Sequence, residues 1–145
     1  MIICVIGLGY VGLPLSLAFA KKNIKVVGYD SSLKRVKELN NSNDINGEFS
    51  KDELIYEGHI KFTNDQAEIN LADIYIITVP TPINKNKKPN LKPLEKASKI
   101  VGKNLTKNNL VIYESTVFPG CTEEICVPIL EKNSKMKYNK DFYCG

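Results

Sequence analysis

Gly7, Gly9 and Gly12 stand in the run Gly7-Leu8-Gly9-Tyr10-Val11-Gly12, a residue type and spacing suited to holding a pyrophosphate. The first glycine lets the chain turn tightly and the second lets the backbone come close to phosphate. The third lets a helix sit against the preceding strand. The apolar run Ile2-Ile3-Cys4-Val5-Ile6 precedes them and Leu13-Pro14 follows. Strand, turn and helix therefore come in the order that aims the helix-start N–H groups at a negative charge.

A glycine triplet gains meaning from its context. Lys25-Val26-Val27-Gly28-Tyr29 reads as a second buried strand and ends on Asp30. An acid about 20 residues past the glycines is placed to accept hydrogen bonds from the adenosine ribose hydroxyls. A carboxylate there repels a 2′-phosphate, which favours NAD over NADP. Asp30 would also serve as a cap for the helix beginning at Ser31, and the two roles are compatible. Arg35 fits either a 2′-phosphate site or a lid over the adenine side.

Other chemistry-bearing residues gather where strands are expected to end. Asp73–Val79 reads as a central strand, stopped by Pro80-Thr81-Pro82, whose two prolines fix an extended exit able to lie along a cofactor. Glu114-Ser115-Thr116 leaves the next strand, and the hydroxyls of Ser115 and Thr116 serve either a ligand near the nicotinamide or the N-terminus of the following helix. Thr81 is either a site residue or turn chemistry, and Glu114 either a site carboxylate or a solvent-facing charge. Lys85, Lys87 and Lys88 read as a solvated loop, and His59 as a partly exposed structural residue.

The elements that must position these groups alternate regularly. Helices are expected over Leu13–Lys22, Leu33–Asn41, Leu94–Leu105 and Cys121–Lys132, with a weak one around Asn64–Asn70. Short strands are expected at Ile60–Phe62, Leu110–Glu114 and Asp141–Cys144. Ser50-Lys51-Asp52-Glu53 reads as a capping box. Repeated β–α alternation predicts an α/β fold: a Rossmann-like, doubly wound parallel sheet with helices on both faces.

Length and composition narrow the classes further. At 145 residues the chain is one domain long. Its net charge of +4 comes from lysines scattered among asparagines and acids, which argues against nucleic-acid binding. Ile2 to Ala20 carries no charge. Three glycines and a proline interrupt it, however, and no basic residue precedes it, so it reads as buried core rather than a membrane span or signal peptide. Cys121 and Cys126 have the wrong spacing for a zinc knuckle, so no metal site is expected. Four reduced thiols suit a cytoplasmic protein.

Four segments in register then become specific: Gly7–Pro14, Gly28-Tyr29-Asp30 with Arg35-Val36, Val79-Pro80-Thr81-Pro82, and Glu114-Ser115-Thr116-Val117 with Pro119-Gly120-Cys121-Thr122-Glu123-Glu124. Over nearly its whole length the chain resembles the N-terminal NAD-binding domain of the UDP-glucose/GDP-mannose dehydrogenase family. Within that family it is most similar to the UDP-N-acetylglucosamine or UDP-N-acetylgalactosamine 6-dehydrogenases of capsule, Vi-type and O-antigen synthesis. The resemblance implies oxidation of a sugar C6 hydroxyl to a carboxylate with two NAD in succession, through a thiohemiacetal and a thioester on an active-site cysteine. It implies cofactor contacts at Gly7, Gly9, Tyr10, Val11, Gly12, Asp30, Arg35, Thr81, Pro82 and Thr116. Thr116 also takes a supporting catalytic role, orienting water for thioester hydrolysis.

The family's nucleophilic cysteine, central helix and UDP-sugar domain come later than Gly145, and none of the four cysteines here falls in the nucleophile's motif. The expectation is a truncated cofactor domain, residues 1–145, inactive alone, from a cytoplasmic enzyme that is a homodimer or larger. The alternatives are a β-hydroxyacid or 6-phosphogluconate-type dehydrogenase, whose opening fingerprint is similar, and a non-catalytic dinucleotide-sensing module.

Overall fold

The computed structural model describes residues 1–55, 58–83 and 89–145. Six parallel strands form one sheet: β1 (Ile2–Ile6), β2 (Lys25–Tyr29), β3 (Ile60–Thr63), β4 (Ile74–Ile77), β5 (Leu110–Tyr113) and β6 (Tyr143–Cys144). Their order is β3-β2-β1-β4-β5-β6, that of the doubly wound dinucleotide-binding sheets. The chain winds outward from β1 to β3, then returns to the other side of β1 with β4. The reversal between β1 and β4 opens a crevice above their carboxyl ends, where such sheets bind ligands.

Among the described residues, four α-helices cover the sheet: α1 (Gly12–Ala20), α2 (Leu33–Asn40), α3 (Lys92–Asn104) and α4 (Val127–Ser134). The strand alternation assigns them to opposite faces. Ile3, Val5, Val26 and Ile76 pack on one side with Leu15 and Phe19 of α1. Cys4, Ile6, Tyr75, Ile77 and Val111 point the other way, against Leu94, Ala97 and Val101 of α3 and Leu130 of α4. Between α1, α2 and β3 a smaller cluster joins Leu8, Leu13, Val36, Leu39 and Phe62. The uncharged stretch from Ile2 to Ala20 is thus the middle strand and its helix, and no helix among the described residues is long and apolar enough to cross a membrane.

Most elements agree with the periodicity, and three segments do not. Instead of a single helix from Cys121, a π-helical turn at Thr122–Cys126 precedes α4. Its wider winding is marked by the Val127 amide, which donates to the Thr122 carbonyl five residues back. Pro128 supplies the reason: it has no N–H, and its ring would collide with the carbonyl four residues earlier in a regular α-helix. The weak helix expected around Asn64–Asn70 is a short 3₁₀ turn, Gln66–Ile69, started by the Asp65 carboxylate accepting from the Ala67 amide at 2.9 Å. The box at Ser50 also opens only a 3₁₀ turn, Asp52–Leu54, where Glu53 accepts from both the amide and the hydroxyl of Ser50.

Candidate functional site

The glycine turn is built by close backbone approach. Gly7 has a φ of +100°, a conformation that disfavours any side chain, and its amide donates to the Tyr29 carbonyl at 2.8 Å. A Cβ on Gly12 would lie 1.8 Å from the Gly7 carbonyl oxygen and 2.5 Å from Thr78 Oγ1, so the start of α1 touches the end of β1 with nothing between them. A Cβ on Gly9 would meet nothing within 4 Å. The second glycine therefore faces open space. Tyr10 and Val11 are exposed beside it, and α1 starts without a side-chain cap, so its first amides have no side-chain acceptor.

Thr78 completes the turn from β4. Its hydroxyl lies 2.7 Å from the Gly7 carbonyl and 3.1 Å from that of Ile6, and its amide donates to Ile6 O at 3.0 Å. In sequence Thr78 is an ordinary strand residue. Its β-branched shape fits a strand, and nothing local marks the hydroxyl as part of the turn.

Asp30 stands at the end of β2 as expected. Its Oδ2 accepts from the Leu8 amide at 2.9 Å and its Oδ1 from the Ser32 amide at 2.8 Å. The helix cap is Ser32, whose Oγ accepts from the Arg35 amide at 3.3 Å, so Asp30 steers the chain into α2 without being its cap. A carboxylate offers about four lone-pair positions, and two amides leave both oxygens able to accept ribose hydroxyls.

Arg35 is placed differently from a free phosphate ligand. Its Nε donates to the Leu8 carbonyl at 2.9 Å, its Nη1 to Asp44 at 2.8 Å, and its Nη2 is buried with no hydrogen-bond partner among the described residues. Leu8 is thus held from both ends of its residue, the amide by Asp30 and the carbonyl by Arg35. Asp44 carries no motif, and only its Asn46-Gly47 neighbours hint at a turn.

The second group of expected site residues forms a separate lacing between the exits of β4 and β5. Thr81 Oγ1 donates to the Thr116 carbonyl at 2.7 Å, and Ser115 Oγ donates to the Val79 carbonyl at 2.7 Å. Neither Ser115 nor Thr116 caps the following helix, which Cys121 enters with no side-chain cap. Thr116 and Pro82 are exposed, as is Glu114. Lys85, Lys87 and Lys88 lie outside the described residues. His59 is half-buried before β3 and lies far in sequence from either group.

A cavity of about 470 Å³ lies beside the glycine turn and Asp30 and reaches the exit of β4 at Val79 and Pro80. Gly7, Asp30 and Ser31 line one side, Val79 and Pro80 the floor, and Lys92, Lys96 and Ala97 of α3 the far wall. Its mostly apolar walls and single carboxylate suit an adenosine. The uncapped helix start and the open Gly9 suit a pyrophosphate. The residues present therefore fit a dinucleotide.

The four free thiols do not contribute reactive groups to this crevice. Burial raises the Cys121 thiol and pushes that of Cys4 far up, that of Cys126 to about 11 and that of Cys144 to about 12, with neighbouring Cys126 and Glu123 adding to the last. Thiols held protonated in this way are poor nucleophiles at neutral pH.

Comparison with known proteins gives the same assignment over the whole length. Residues 1–145 match the model of the UDP-glucose/GDP-mannose dehydrogenase family, NAD binding domain. The chain is 53% identical over 143 residues to a UDP-N-acetyl-D-glucosamine 6-dehydrogenase of Salmonella typhi, a match covering 99% of this chain and 33% of that protein. It is 48% identical over 143 residues to the enzyme of that name from Pseudomonas aeruginosa, covering 99% of this chain and 34% of that one. Among solved structures, the UDP-D-ManNAc dehydrogenase of Pyrococcus horikoshii superposes with a TM-score of 0.90 at 34% identity, over 99% of this chain and 35% of that one. The chain thus spans about a third of the length of these relatives. Neither the β-hydroxyacid-type alternative nor a sensing module is favoured by these matches. The chain belongs to the UDP-glucose/GDP-mannose dehydrogenase family, of which it is the NAD binding domain.

Proposed function

We propose that this domain holds NAD along the carboxyl edge of its sheet as part of a longer enzyme that oxidises the C6 hydroxyl of a UDP-N-acetylhexosamine to the uronate. The observation that carries the reading is the joint geometry of the turn and Asp30. Gly12 presses on Gly7, Gly9 is open, and the ribose carboxylate is tied to the same turn through Leu8.

In this reading the pyrophosphate lies over Gly7–Gly12 with Tyr10 and Val11 at its flank, and Asp30 takes the ribose hydroxyls. Arg35 bears on the cofactor through the Leu8 carbonyl it holds. NAD, when bound, accepts the hydride released from the sugar. Thr81 and Pro82 line the path towards the nicotinamide. Thr116, exposed at the exit of β5, orients water for the hydrolytic step.

The relatives named for UDP-N-acetyl-D-glucosamine support the sugar class, and the Staphylococcus aureus relative named Protein CapL, 49% identical, goes with capsule synthesis. The whole enzyme is proposed to be a homodimer or larger, in the cytoplasm where NAD and nucleotide sugars are held. The nucleophilic cysteine and the UDP-binding domain are proposed to belong to the remainder of that enzyme.

Calorimetric titration of this chain with NAD and NADP tests the cofactor, with NAD binding markedly tighter. Incubation of this chain with NAD and UDP-N-acetylhexosamines should give no NADH, whereas the longer enzyme should. NADP binding as tightly as NAD would refute the role given to Asp30, and turnover by this chain alone would refute the division of labour.

A further inference from the structure

Asp44 is a buried acid outside every recognised motif. Its side chain is 0% exposed. Oδ1 accepts from Arg35 Nη1 at 2.8 Å and from the Asn46 amide at 3.2 Å. Oδ2 accepts from the amides of Glu48 at 3.0 Å and Phe49 at 3.2 Å. Burial by itself would raise its pKa. The Arg35 hydrogen bond, the two amides and the guanidinium charge outweigh burial and hold the carboxyl below its ordinary value. It therefore remains an anion at neutral pH, and it closes its own loop while gripping Arg35.

The grip matters because of where Arg35 stands. One residue, Leu8, separates its guanidinium from Asp30, the amide bonded to the acid and the carbonyl to the arginine. An arginine beside the ribose carboxylate is the residue type that accommodates a 2′-phosphate. Here two acids hold it, Glu38 at 3.8 Å and Asp44 at 2.8 Å, while Asp30 binds the other end of Leu8. Its Nη2 meanwhile is buried without a partner among the described residues. The guanidinium is thus held by opposite charge in spite of an incomplete set of hydrogen bonds, a state that depends on its anionic neighbours.

We propose that Asp44 is a positioning residue for coenzyme choice: it holds Arg35 on the Leu8 carbonyl, withholding the guanidinium from the 2′-phosphate of NADP, so that the ribose edge selects NAD. The inference rests on the reading of the crevice as a NAD site. The carboxylate of Asp30 repels the phosphate directly, and Asp44 holds back a cation that would offset that repulsion.

Calorimetric titrations of the wild-type chain, D44N and D44N/R35M with NAD and with NADP test it. The D44N substitution keeps the side chain's shape and removes its charge; with the amide oxygen kept on the Glu48 and Phe49 amides, its nitrogen faces Arg35, donor against donor, which frees the guanidinium. The ratio of NADP to NAD affinity is expected to rise about tenfold in D44N, the scale of one charge a few ångströms from a phosphate in a partly screened site. It is expected to return to the wild-type ratio in D44N/R35M. An unchanged ratio in D44N, or a rise that survives R35M, overturns the proposal while NAD binding stands. Failure of the wild-type chain to bind either dinucleotide overturns the NAD reading and this inference together. Should D44N not fold, the Arg35 Nε–H resonance of the wild-type chain decides the matter. It should keep its shift at saturating NADP, and displacement by NADP but not by NAD overturns the proposal.

Discussion

The two halves of the crevice are built on opposite plans. Around β1, α1 and the end of β2 the turn is packed and pinned: Gly12 lies against Gly7, and the side chains of Thr78, Asp30 and Arg35 bond to the backbone of Gly7 and Leu8. Beyond β4 and β5, two hydroxyls donate to two carbonyls, and Thr116 and Pro82 stand exposed. The first half is a finished mould whose shape the fold enforces. The second is an open edge that positions backbone and presents side chains to solvent. The two halves should therefore respond differently to substitution.

The largest effect is expected at Gly12. Gly12→Ala puts a methyl into the Gly7 carbonyl, and the β1–α1 packing must give way, at a cost of about 3 kcal/mol or more. Thermal unfolding should show a large fall in Tm together with loss of NAD binding. Gly9→Ala separates the two functions of the mould. Its added methyl touches nothing in the protein, so stability should stay within about 0.5 kcal/mol of wild type, while calorimetry should show NAD affinity lower by about tenfold or more. An unaltered NAD affinity in Gly9→Ala would break the comparison.

Acid stability sharpens the same contrast. The native pKa of Asp44 lies below its ordinary value of 3.8, so its contribution is fully present above that value and is lost as pH falls through the native one. Unfolding free energy measured against pH should drop over that acid range in wild type and less steeply in D44N, with no such difference above about pH 5. Substitutions at the open edge should cost little stability. Thr81→Ala removes one hydrogen bond and should cost about 1 kcal/mol. Thr116→Ala should leave Tm unchanged and lower turnover only in the longer enzyme, measured as NADH formation.

Legibility followed the range of the interactions. The strand–turn–helix at Ile2–Ala20, the second strand ending on Asp30 and the sheet's parallel character were readable, because each depends on glycine spacing and local alternation. The segments at Thr81 and Thr116 were readable as strand exits, and their motif spacing pointed to the family. What the sequence concealed was who bonds to whom across the fold. Arg35 fitted a 2′-phosphate site and a lid over the adenine side equally well, because its type was visible and its partner, nine residues on in an asparagine-rich stretch, was not. Thr78 was hidden for the same reason, since a strand threonine and a turn-bracing threonine look alike until β4 is set beside β1. The π-helical turn before α4 was foreshadowed by Pro128, but helical periodicity alone tolerated a proline near a helix start.

The placement of β1 between β2 and β4 has a consequence in time. The bond from Thr78 to the Gly7 carbonyl spans 71 residues, and β4 reaches β1 only after β2, β3 and their connections have been made. Contacts of such separation form late and slowly because a long loop must close first. During synthesis the glycine turn emerges ahead of the fourth strand, and it stays unbraced until that strand docks. A nascent chain lacking β4 should therefore have no cofactor site to offer, and cofactor added during refolding should retard unfolding without hastening the formation of the native state.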